Sequence, residues 1–315
     1  LETVQVGGAP HDCLQILYHG NDKLFVPVEN IEVLSRYGSE DAVVQLDRLG
    51  GQAWQAKRSR IKERIREIAS ELLAVAAKRA LAKAVPVAID DNAFQEFAAR
   101  FPYEETDDQL NAIAEVLSDI ASGRPMDRLI CGDVGFGKTE IALRSAFATS
   151  MEGLQVAIVV PTTLLARQHH ETFVDRFKGL PIRVGQLSRF VTEKDAEQVR
   201  SELADGTLDI VIGTHALLSD LVRFNRLGLV VIDEEHRFGV THKEKVKRFR
   251  HEVDVLTLSA TPIPRSLNMG MMGLRDLSVI ETPPVDRQAI RTYVAQYDRQ
   301  LVRSAILQEL SLIHI

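Results

Sequence analysis

The pattern of hydrophobic and polar positions changes twice along the chain, and each pattern predicts a different architecture. Residues 1–50 hold short apolar runs at 14–18 and 23–28, separated by an Asn-Asp pair at 21–22 that is typical of a turn. Two glycines at 50–51 then mark a boundary. We therefore expect a small, partial β module over residues 1–50.

Residues 51–88 change to a helical period and predict a long connector helix. Apolar residues recur at intervals of four and three, which forms one stripe along a helix: Ile61, Ile65, Ile68, Leu72 and Val75. The other faces carry nine basic side chains against three acidic ones, and Pro86 ends the pattern. This helix is either a connector that contacts nucleic acid or a partner, or a solvated helix packed on its apolar stripe.

From residue 89 to residue 285 short apolar runs alternate with longer helical patterns. The runs lie at 129–131, 156–160, 208–212, 229–232 and 255–258. Uninterrupted apolar runs are typical of strands buried on both faces, so the alternation predicts an α/β domain: a parallel sheet with helices on both faces. Chemically distinctive residues follow each run: glycine, hydroxyl or charged residues after four of them, and Pro161 with two threonines after the run at 156–160. A parallel sheet would collect them at one edge.

The glycine-rich segment 132–139 fits the phosphate-binding pattern G-x-x-x-x-G-K-S/T without a mismatch. An apolar run precedes it and a helical pattern follows it, so backbone N–H groups can surround phosphates at a helix N-terminus. Lys138 is expected to reach the β- and γ-phosphates, and the Thr139 hydroxyl to bind Mg²⁺. The alternative is a glycine-rich turn with a surface lysine. The expected nucleotide-binding residues are Gly132, Asp133, Val134, Gly135, Phe136, Gly137, Lys138 and Thr139.

Two adjacent carboxylates, Asp233 and Glu234, follow the apolar run at 229–232. Asp233 is suited to hold Mg²⁺ through its water shell, and Glu234 to activate an attacking water. An acidic turn after a strand is the plain alternative. Together with the phosphate loop, the pair predicts a nucleotide hydrolase in which Lys138 and Glu234 are catalytic and Thr139 and Asp233 hold the metal.

Composition limits the class of protein. The 315 residues are enough for two domains, and 45% hydrophobic with 26% charged residues is an ordinary globular balance. A net charge of −6 argues against a broad basic surface that binds nucleic acid by its field alone. Only Cys13 and Cys131 are present, and no apolar run is long enough to cross a membrane, so we expect a cytoplasmic protein.

Taken in order, these motifs resemble the first RecA-like domain of superfamily-2 helicases and translocases of the DExH type. Segment 105–109 is similar to the glutamine motif of that superfamily, in which Gln109 would read adenine. Phe97 or Phe101 would then stack on the base. The resemblance therefore implies ATP, together with Mg²⁺, as the cofactors, and residues 286–315 would begin a linker to a second RecA-like domain.

The same resemblance implies roles for residues that follow the other strands. Hydroxyl and loop N–H groups hold phosphates without reading bases. The implied DNA-binding residues are Thr162, Thr163, Thr214 and His215, although each threonine is alternatively a helix N-cap and the histidine a structural residue. The implied coupling residues, which would link nucleotide state to the DNA strand, are His236, Ser259, Thr261 and Arg265. Arg265 is alternatively an ion-pair partner. His169 and His170 are assigned to a helix surface.

The amino-acid sequences of segments 131–139, 233–240 and 261–267 are similar to the corresponding motifs in two groups of that superfamily, the RecG helicases and the bacterial transcription-repair coupling factors. Segments 22–38 and 49–54 resemble the RNA-polymerase-interacting module of the coupling factors and the helix behind it, whereas RecG carries a DNA-wedge domain there. The implied partner-binding residues are Leu24, Phe25, Val26 and Pro27.

The implied partners are double-stranded DNA, the β subunit of bacterial RNA polymerase and, in a longer protein, nucleotide-excision-repair proteins; no membrane is expected. Residues 1–11 do not match the polymerase-interacting module, so its opening strands are expected to be missing. The second RecA-like domain, with its arginine fingers, is also expected to lie outside the chain.

The leading hypothesis is an ATP-dependent double-stranded DNA translocase that engages stalled RNA polymerase in transcription-coupled repair. A RecG-like fork-remodelling helicase is the alternative within the same enzyme class. A non-catalytic protein-binding module, in which residues 1–50 dock a partner and the nucleotide site is idle, is the alternative of another class.

Overall fold

The computed structural model describes residues 2–6, 9–34, 46, 48, 52–235, 238, 253–260, 275–285 and 294–312. These residues divide into two compact units, Leu1–Ala77 and Lys78–Ile315. Within the described residues, no helix is long and apolar enough to cross a bilayer.

The first unit begins with a three-stranded antiparallel sheet in the order β1-β2-β3. Its strands are β1 (Glu2–Val6), β2 (Ala9–Leu17) and β3 (Lys23–Pro27), and a 3-10 helix (Val28–Val33) follows. Asn21 adopts the left-handed conformation, with φ of 70°, in the turn between β2 and β3. The two apolar runs expected to be strands are therefore confirmed.

Helix α1 (Gln52–Leu81) leaves the first unit and ends in the second. Two residues of its apolar stripe, Ile61 and Ile65, are 50% and 60% exposed. The stripe is therefore not a buried packing surface at those two positions. Near the end of α1, Arg79 forms an ion pair with Asp127, which belongs to the second unit as Arg79 does.

The second unit is built on a seven-stranded parallel sheet in the order β10-β4-β9-β8-β5-β7-β6. Its strands are β4 (Asp127–Gly132), β5 (Gln155–Val159), β6 (Val184–Leu187), β7 (Ile210–Gly213), β8 (Leu227–Asp233), β9 (Asp254–Ser259) and β10 (Asp276–Ile280). Its helices are α2 (Asp91–Ala98), α3 (Asp107–Ala121), α4 (Lys138–Met151), α5 (Thr163–Arg176), α6 (Glu193–Asp205) and α7 (Arg299–Leu312).

Both faces of the sheet are buried, which explains why its strands are continuous apolar runs. Along β5, Val156 and Ile158 belong to one hydrophobic cluster, whereas Ala157 and Val159 belong to the other. The first cluster also holds the helix aromatics, among them Phe97, Phe147, Phe173 and Phe177. The predicted α/β architecture, with helices on both faces, is therefore confirmed.

All five apolar runs that the sequence predicts as strands form the interior of this sheet, as β4, β5, β7, β8 and β9. The two strands not predicted, β6 and β10, are the two outer strands. An outer strand has a neighbour on one side only, so it needs less apolar sequence. Accordingly, β6 reads Val-Gly-Gln-Leu, and β10 leaves Val279 46% exposed.

Candidate nucleotide site

The phosphate loop joins β4 to α4 at the carboxyl edge of the sheet, as predicted. Gly135 and Gly137 have φ of 83° and 72°, values that residues with a Cβ rarely adopt. A Cβ at Gly137 would also collide with the side-chain amide of Gln109. The loop conformation therefore depends on glycine, and it leaves α4 starting at Lys138 with its N-terminus at the loop.

Lys138 lies inside this loop. Its Nζ donates hydrogen bonds to the carbonyl oxygens of Gly132 at 2.7 Å and Asp133 at 2.9 Å. Burial lowers the pKa of Lys138, while the negative charges of Asp233 and Glu234 oppose that shift. The predicted phosphate-binding lysine and the two predicted carboxylates are thus near enough to interact electrostatically, which is the arrangement that Mg²⁺ and a polyphosphate require.

The backbone turns sharply at the second carboxylate. Asp233 is the last residue of β8, and Glu234 has φ of 55°, which is rare for a residue other than glycine. The Glu234 N–H donates to the Leu258 carbonyl at 2.9 Å, and its Oε1 accepts from the Ala260 N–H at 3.1 Å. Glu234 is therefore connected to the end of β9 at both backbone and side chain.

The predicted coupling residues fall largely outside the described part of the chain. Ser259 is buried at the end of β9 and pairs in register with Cys131 of β4, next to the phosphate loop. His236, Thr261 and Arg265 lie outside the described residues. Their coupling roles stay predictions.

His169 lies in the nucleotide site, and its assignment to a helix surface is wrong. Its Nε2 is 3.3 Å from Asp233 Oδ2, and the two side chains are 11% and 16% exposed. The contact joins α5 to the end of β8, elements that are far apart in sequence. Single-sequence reasoning missed it because an isolated His-His pair carries no signal for its tertiary neighbour.

Gln109 connects the first turn of α3 with the phosphate loop. Thr106 and Gln109 form a reciprocal capping box, and Gln109 Nε2 donates to the Phe136 carbonyl at 3.0 Å. Gln109 and Gly137 line a cavity of about 740 Å³, together with Phe101 and Tyr103. This volume is in the usual range for small-molecule sites.

The two aromatic residues considered for base stacking differ in position. Phe97 is 1% exposed, and its ring stacks on Phe147 at a centroid distance of 4.3 Å within the core. Phe101 lines the cavity instead. Phe101 therefore has the position that stacking on a base would require, whereas Phe97 does not, and the stacking role itself stays a prediction.

A buried ion network includes two residues that line the same cavity, Glu140 and Arg176. Glu140 is 2.8 Å from Arg144 and 2.7 Å from Arg176, and Arg144 also bonds Glu105. Burial raises the pKa of Glu140 even though both arginines oppose the shift. The guanidinium of Arg176 also lies 4.9 Å from the Phe97 ring centroid. These charges are paired, so they organise the cavity wall rather than offering free groups to a ligand.

The predicted DNA-binding residues follow β5 and β7 at the same edge as the phosphate loop. Thr162 is exposed and caps α5, accepting from the Leu165 N–H at 3.2 Å, and Thr163 is the first residue of that helix. His215 is exposed, whereas Thr214 is 4% exposed. The burial of Thr214 favours a structural role for its side chain over a direct phosphate contact.

The predicted partner-binding residues form one outer strand of the N-terminal sheet. Leu24, Phe25, Val26 and Pro27 belong to β3, whose one strand partner in the described part of the chain is β2. Leu24 is 38% exposed, and the other three are half-buried. Their assignment to a partner stays a prediction.

Arg275 is a second residue that sequence reasoning missed. Its guanidinium is 3.2 Å from Glu235 and 2.9 Å from Asp127, and it bonds the Thr257 hydroxyl. Its side chain is 1% exposed. Arg275 therefore connects the turn after β8 with the beginning of β4, and no local pattern around residue 275 indicates this role.

Within the described residues, no group of three or more His, Cys, Asp or Glu side chains could bind a metal by itself. This agrees with how Mg²⁺ is bound in nucleotide sites, where one or two protein ligands act together with phosphate oxygens and water. Thr139 and Asp233 fit that requirement because each stands at the carboxyl edge, in α4 and β8 respectively.

The family of DEAD/DEAH box helicases matches residues 106–269, about half of the chain. The chain belongs to this family. The match confirms the prediction of a superfamily-2, ATP-hydrolysing helicase or translocase domain with a RecA-like fold, and it spans the segment from the capping box of α3 to beyond β9.

A second family model, the CarD-like/TRCF RID domain, matches residues 1–38. The match begins at residue 1, and β1 pairs with β2 along its whole length. The expectation that residues 1–11 do not match the polymerase-interacting module is therefore wrong.

Curated relatives match nearly the whole chain. A transcription-repair-coupling factor of Bacillus subtilis is 51% identical over 99% of this chain and 26% of the relative. One from Haemophilus influenzae is 52% identical over 98% of this chain and 27% of the relative. The predicted resemblance to a segment of these factors is confirmed, and the chain spans about a quarter of their length.

The structure also resembles a solved helicase. The protein in a structure of RecG bound to a three-way DNA junction superposes with a TM-score of 0.63 at 35% identity, covering 77% of this chain and 34% of that one. This confirms the similarity to RecG that the motif sequences indicated.

Proposed function

We propose that this chain is the ATP-driven motor segment of a double-stranded DNA translocase that engages stalled RNA polymerase in transcription-coupled repair. The observation that carries the proposal is the pairing, in one chain, of two features. One is the nucleotide site around Lys138, Asp233 and Glu234. The other is an N-terminal module that matches the CarD-like/TRCF RID family.

ATP would bind between the phosphate loop and the cavity lined by Gln109 and Phe101. The base would stack on Phe101 and the Gln109 amide would read its edge, while loop N–H groups and Lys138 would hold the phosphates. Thr139 and Asp233 would hold Mg²⁺ through oxygen and water ligands. Mg²⁺ would neutralise charge on the phosphates, which is its usual contribution to phosphoryl transfer.

Glu234 would accept the proton of the attacking water. A general base must be held in reach of that water. The hydrogen bond that the Ala260 N–H donates to Oε1 of Glu234 would help to orient this carboxylate. Because Ala260 follows Ser259 in the coupling segment, the same hydrogen bond offers a route by which nucleotide state would reach the DNA track.

Double-stranded DNA would lie across the carboxyl edge of β5 and β7, where Thr162, Thr163 and His215 stand. Hydroxyl groups and helix N-termini bind phosphate oxygens without reading bases, which suits a motor that must move along any sequence. The likeness to a DNA-bound RecG supports DNA as the substrate of this fold.

RNA polymerase would dock on β3, through its β subunit. Among the described residues β3 pairs with β2 alone, so its other row of backbone groups would be available for strand addition, and Leu24 presents an exposed apolar side chain on this strand. The RID family match supports this partner over a RecG-like role, since RecG is expected to carry a different N-terminal domain. Excision-repair proteins would join through other parts of a longer protein.

The test is co-precipitation of the chain with bacterial RNA polymerase. Leu24→Glu should abolish capture, while Gln5→Glu on β1, the opposite outer strand, should leave capture unchanged. A DNA-stimulated ATPase assay on a protein containing both motor domains tests the other half. Equal capture of both variants would refute the polymerase assignment, and a chain that binds no nucleotide would refute the motor assignment.

A further inference from the structure

We propose that His169 is a positioning residue that holds the Mg²⁺-binding carboxylate of Asp233, an inference that rests on the proposed function of the nucleotide site. The imidazole Nε2 lies 3.3 Å from Asp233 Oδ2, and both side chains are largely buried. This role adds to the proposed metal site a supporting residue from α5, a helix that provides none of the proposed metal ligands.

The direction of the His169 side chain follows from the register of α5. His169 and Phe173 are one helical turn apart, so they lie on the same face of the helix. Phe173 is 0% exposed and belongs to the core, and the two rings lie 6.5 Å apart between centroids. The face of α5 that carries His169 therefore packs toward the sheet, and Phe173 supports one side of the imidazole.

His170, the next residue, has different surroundings. Burial lowers the pKa of His170, and the backbone of Val184 in β6 opposes the shift. A step of one residue turns the side chain by about 100° around the helix. The two histidines therefore offer a matched pair: same chemistry and adjacent positions, but only His169 contacts the carboxylate at the end of β8.

An N–H group on one carboxylate oxygen would fix the orientation of Asp233 while leaving lone pairs for Mg²⁺-bound water. Imidazole carries a proton on Nε2 in one neutral tautomer and in the cation, so either form can donate. The distance of 3.3 Å is just beyond the usual N–H···O range of roughly 2.7–3.2 Å. Such contacts commonly tighten when the ligand is bound.

The polar role can be separated from simple packing. Packing beside Phe173 requires only a ring, which His169→Phe keeps, whereas positioning Asp233 requires an N–H donor, which His169→Phe removes. His169→Gln supplies an amide N–H on a side chain of similar reach. If His169 only packs beside Phe173, His169→Phe should be tolerated better than His169→Gln. If His169 positions Asp233, His169→Gln should be tolerated better.

The experiment is a Mg²⁺ titration of binding between the chain and a fluorescent ATP analogue, repeated in EDTA. His169→Phe should raise the half-saturating Mg²⁺ concentration by about 10–100-fold, the usual loss when a group that orients a metal ligand is removed. His169→Gln should recover most of that loss. His170→Phe, the matched control, should behave as the parent, and affinity in EDTA should be the same for all of them.

A second measurement keeps the test decisive. If His169 acts through Asp233, then His169→Phe should add nothing to the Mg²⁺ defect of Asp233→Asn in a double-mutant cycle. Additive losses would overturn the proposal. So would parental Mg²⁺ dependence in His169→Phe, an equal loss in EDTA, or the same defect in His170→Phe. If His169→Phe does not fold, His169→Ala serves as the donor-free variant.

Failure of this inference is distinguishable from failure of the proposed function. A parent chain that binds the ATP analogue more tightly with Mg²⁺ than in EDTA, beside an unaffected His169→Phe, overturns the role of His169 alone. A parent chain that binds no nucleotide overturns both.

Discussion

Charged residues lie at both the carboxyl edge and the amino edge of the seven-stranded sheet, but their interactions differ between the two edges. At the carboxyl edge, Lys138 donates to loop carbonyls, and Asp233 and Glu234 act on it at a distance. At the amino edge, Asp127 lies between two guanidinium groups, 3.1 Å from Arg79 and 2.9 Å from Arg275. At the amino edge the opposite charges form direct ion pairs, whereas Lys138 at the carboxyl edge donates hydrogen bonds to carbonyl oxygens of its own loop.

This difference indicates that the carboxyl edge serves ligand binding, whereas the amino edge serves the stability of the fold. A charge that is already paired in the folded protein has little left to offer a ligand, and removing its partner is costly. The carboxyl edge instead combines a positive loop, glycines with left-handed φ and a strained Glu234. Backbone strain of that kind is characteristic of functional sites. We therefore expect substitutions at the carboxyl edge to change ligand binding, and those at the amino edge to change folding.

The largest expected effect is at the phosphate loop. Lys138→Ala should abolish nucleotide binding, because no other described cation lies within the loop. The free energy of unfolding should change little, since burial already disfavours the Lys138 charge. Calorimetric titration with Mg·ATP and denaturant unfolding measure the two quantities. Lys194→Ala, at an exposed position of α6, is the control, and retained affinity in Lys138→Ala would place the phosphates elsewhere.

The two carboxylates should separate binding from hydrolysis. In a protein with both motor domains, Glu234→Gln should lower kcat by roughly 10²–10⁴-fold, the usual general-base contribution, with Mg·ATP affinity nearly preserved. Asp233→Asn should weaken Mg²⁺-dependent binding itself. Steady-state ATPase and nucleotide-binding assays measure the pair. Near-normal turnover in Glu234→Gln would mean that the roles assigned here are exchanged or absent.

Next in size is the amino edge. Asp127→Asn should lower the free energy of unfolding by roughly 1.5–3 kcal/mol, the usual contribution of hydrogen bonds to charged groups, because it removes the carboxylate charge that Arg79 and the buried Arg275 share while Arg275 keeps Glu235. Mg·ATP affinity of the folded variant should stay close to that of the parent. Urea unfolding and nucleotide titration check both statements. Lost affinity at full stability would instead make Asp127 part of the functional site.

The smallest expected effect, counted per pH unit, is a pH dependence of stability from Asp254. Burial raises the pKa of Asp254 to about 7. The hydrogen bond that the Met126 N–H donates to its carboxylate at 2.7 Å only partly opposes this shift. The folded state therefore binds this proton more tightly than the unfolded state, whose carboxyl titrates near its ordinary value of about 4. Stability from this group is present at low pH and is lost as pH rises toward 7.

Asp254→Asn removes that titration while keeping an oxygen acceptor for Met126. The variant should be more stable than the parent at pH 8 and should lose the slope between pH 5 and pH 7. For one group the slope is at most about 1.4 kcal/mol per pH unit. Unfolding curves at several pH values measure it. An identical pH profile for parent and variant would show that Asp254 stays ionised when folded.

Local sequence patterns determined the architecture and the centre of the site. The interior strands are apolar runs because both of their faces are buried. The phosphate loop is recognisable because its glycines, lysine and threonine lie within eight consecutive residues. The position of the carboxylates at 233 and 234 was predictable for the same reason, since they directly follow the apolar run of one strand.

Only the tertiary structure decided what those residues touch. His169 meets Asp233, Phe101 rather than Phe97 lines the cavity, and Arg275 connects Asp127 with Glu235. Each of these facts depends on how distant elements pack. The outer strands β6 and β10 escaped prediction because a strand with one neighbour needs little apolar sequence. Periodicity reports the burial of one element at a time, whereas contacts between elements depend on the packing of the whole sheet.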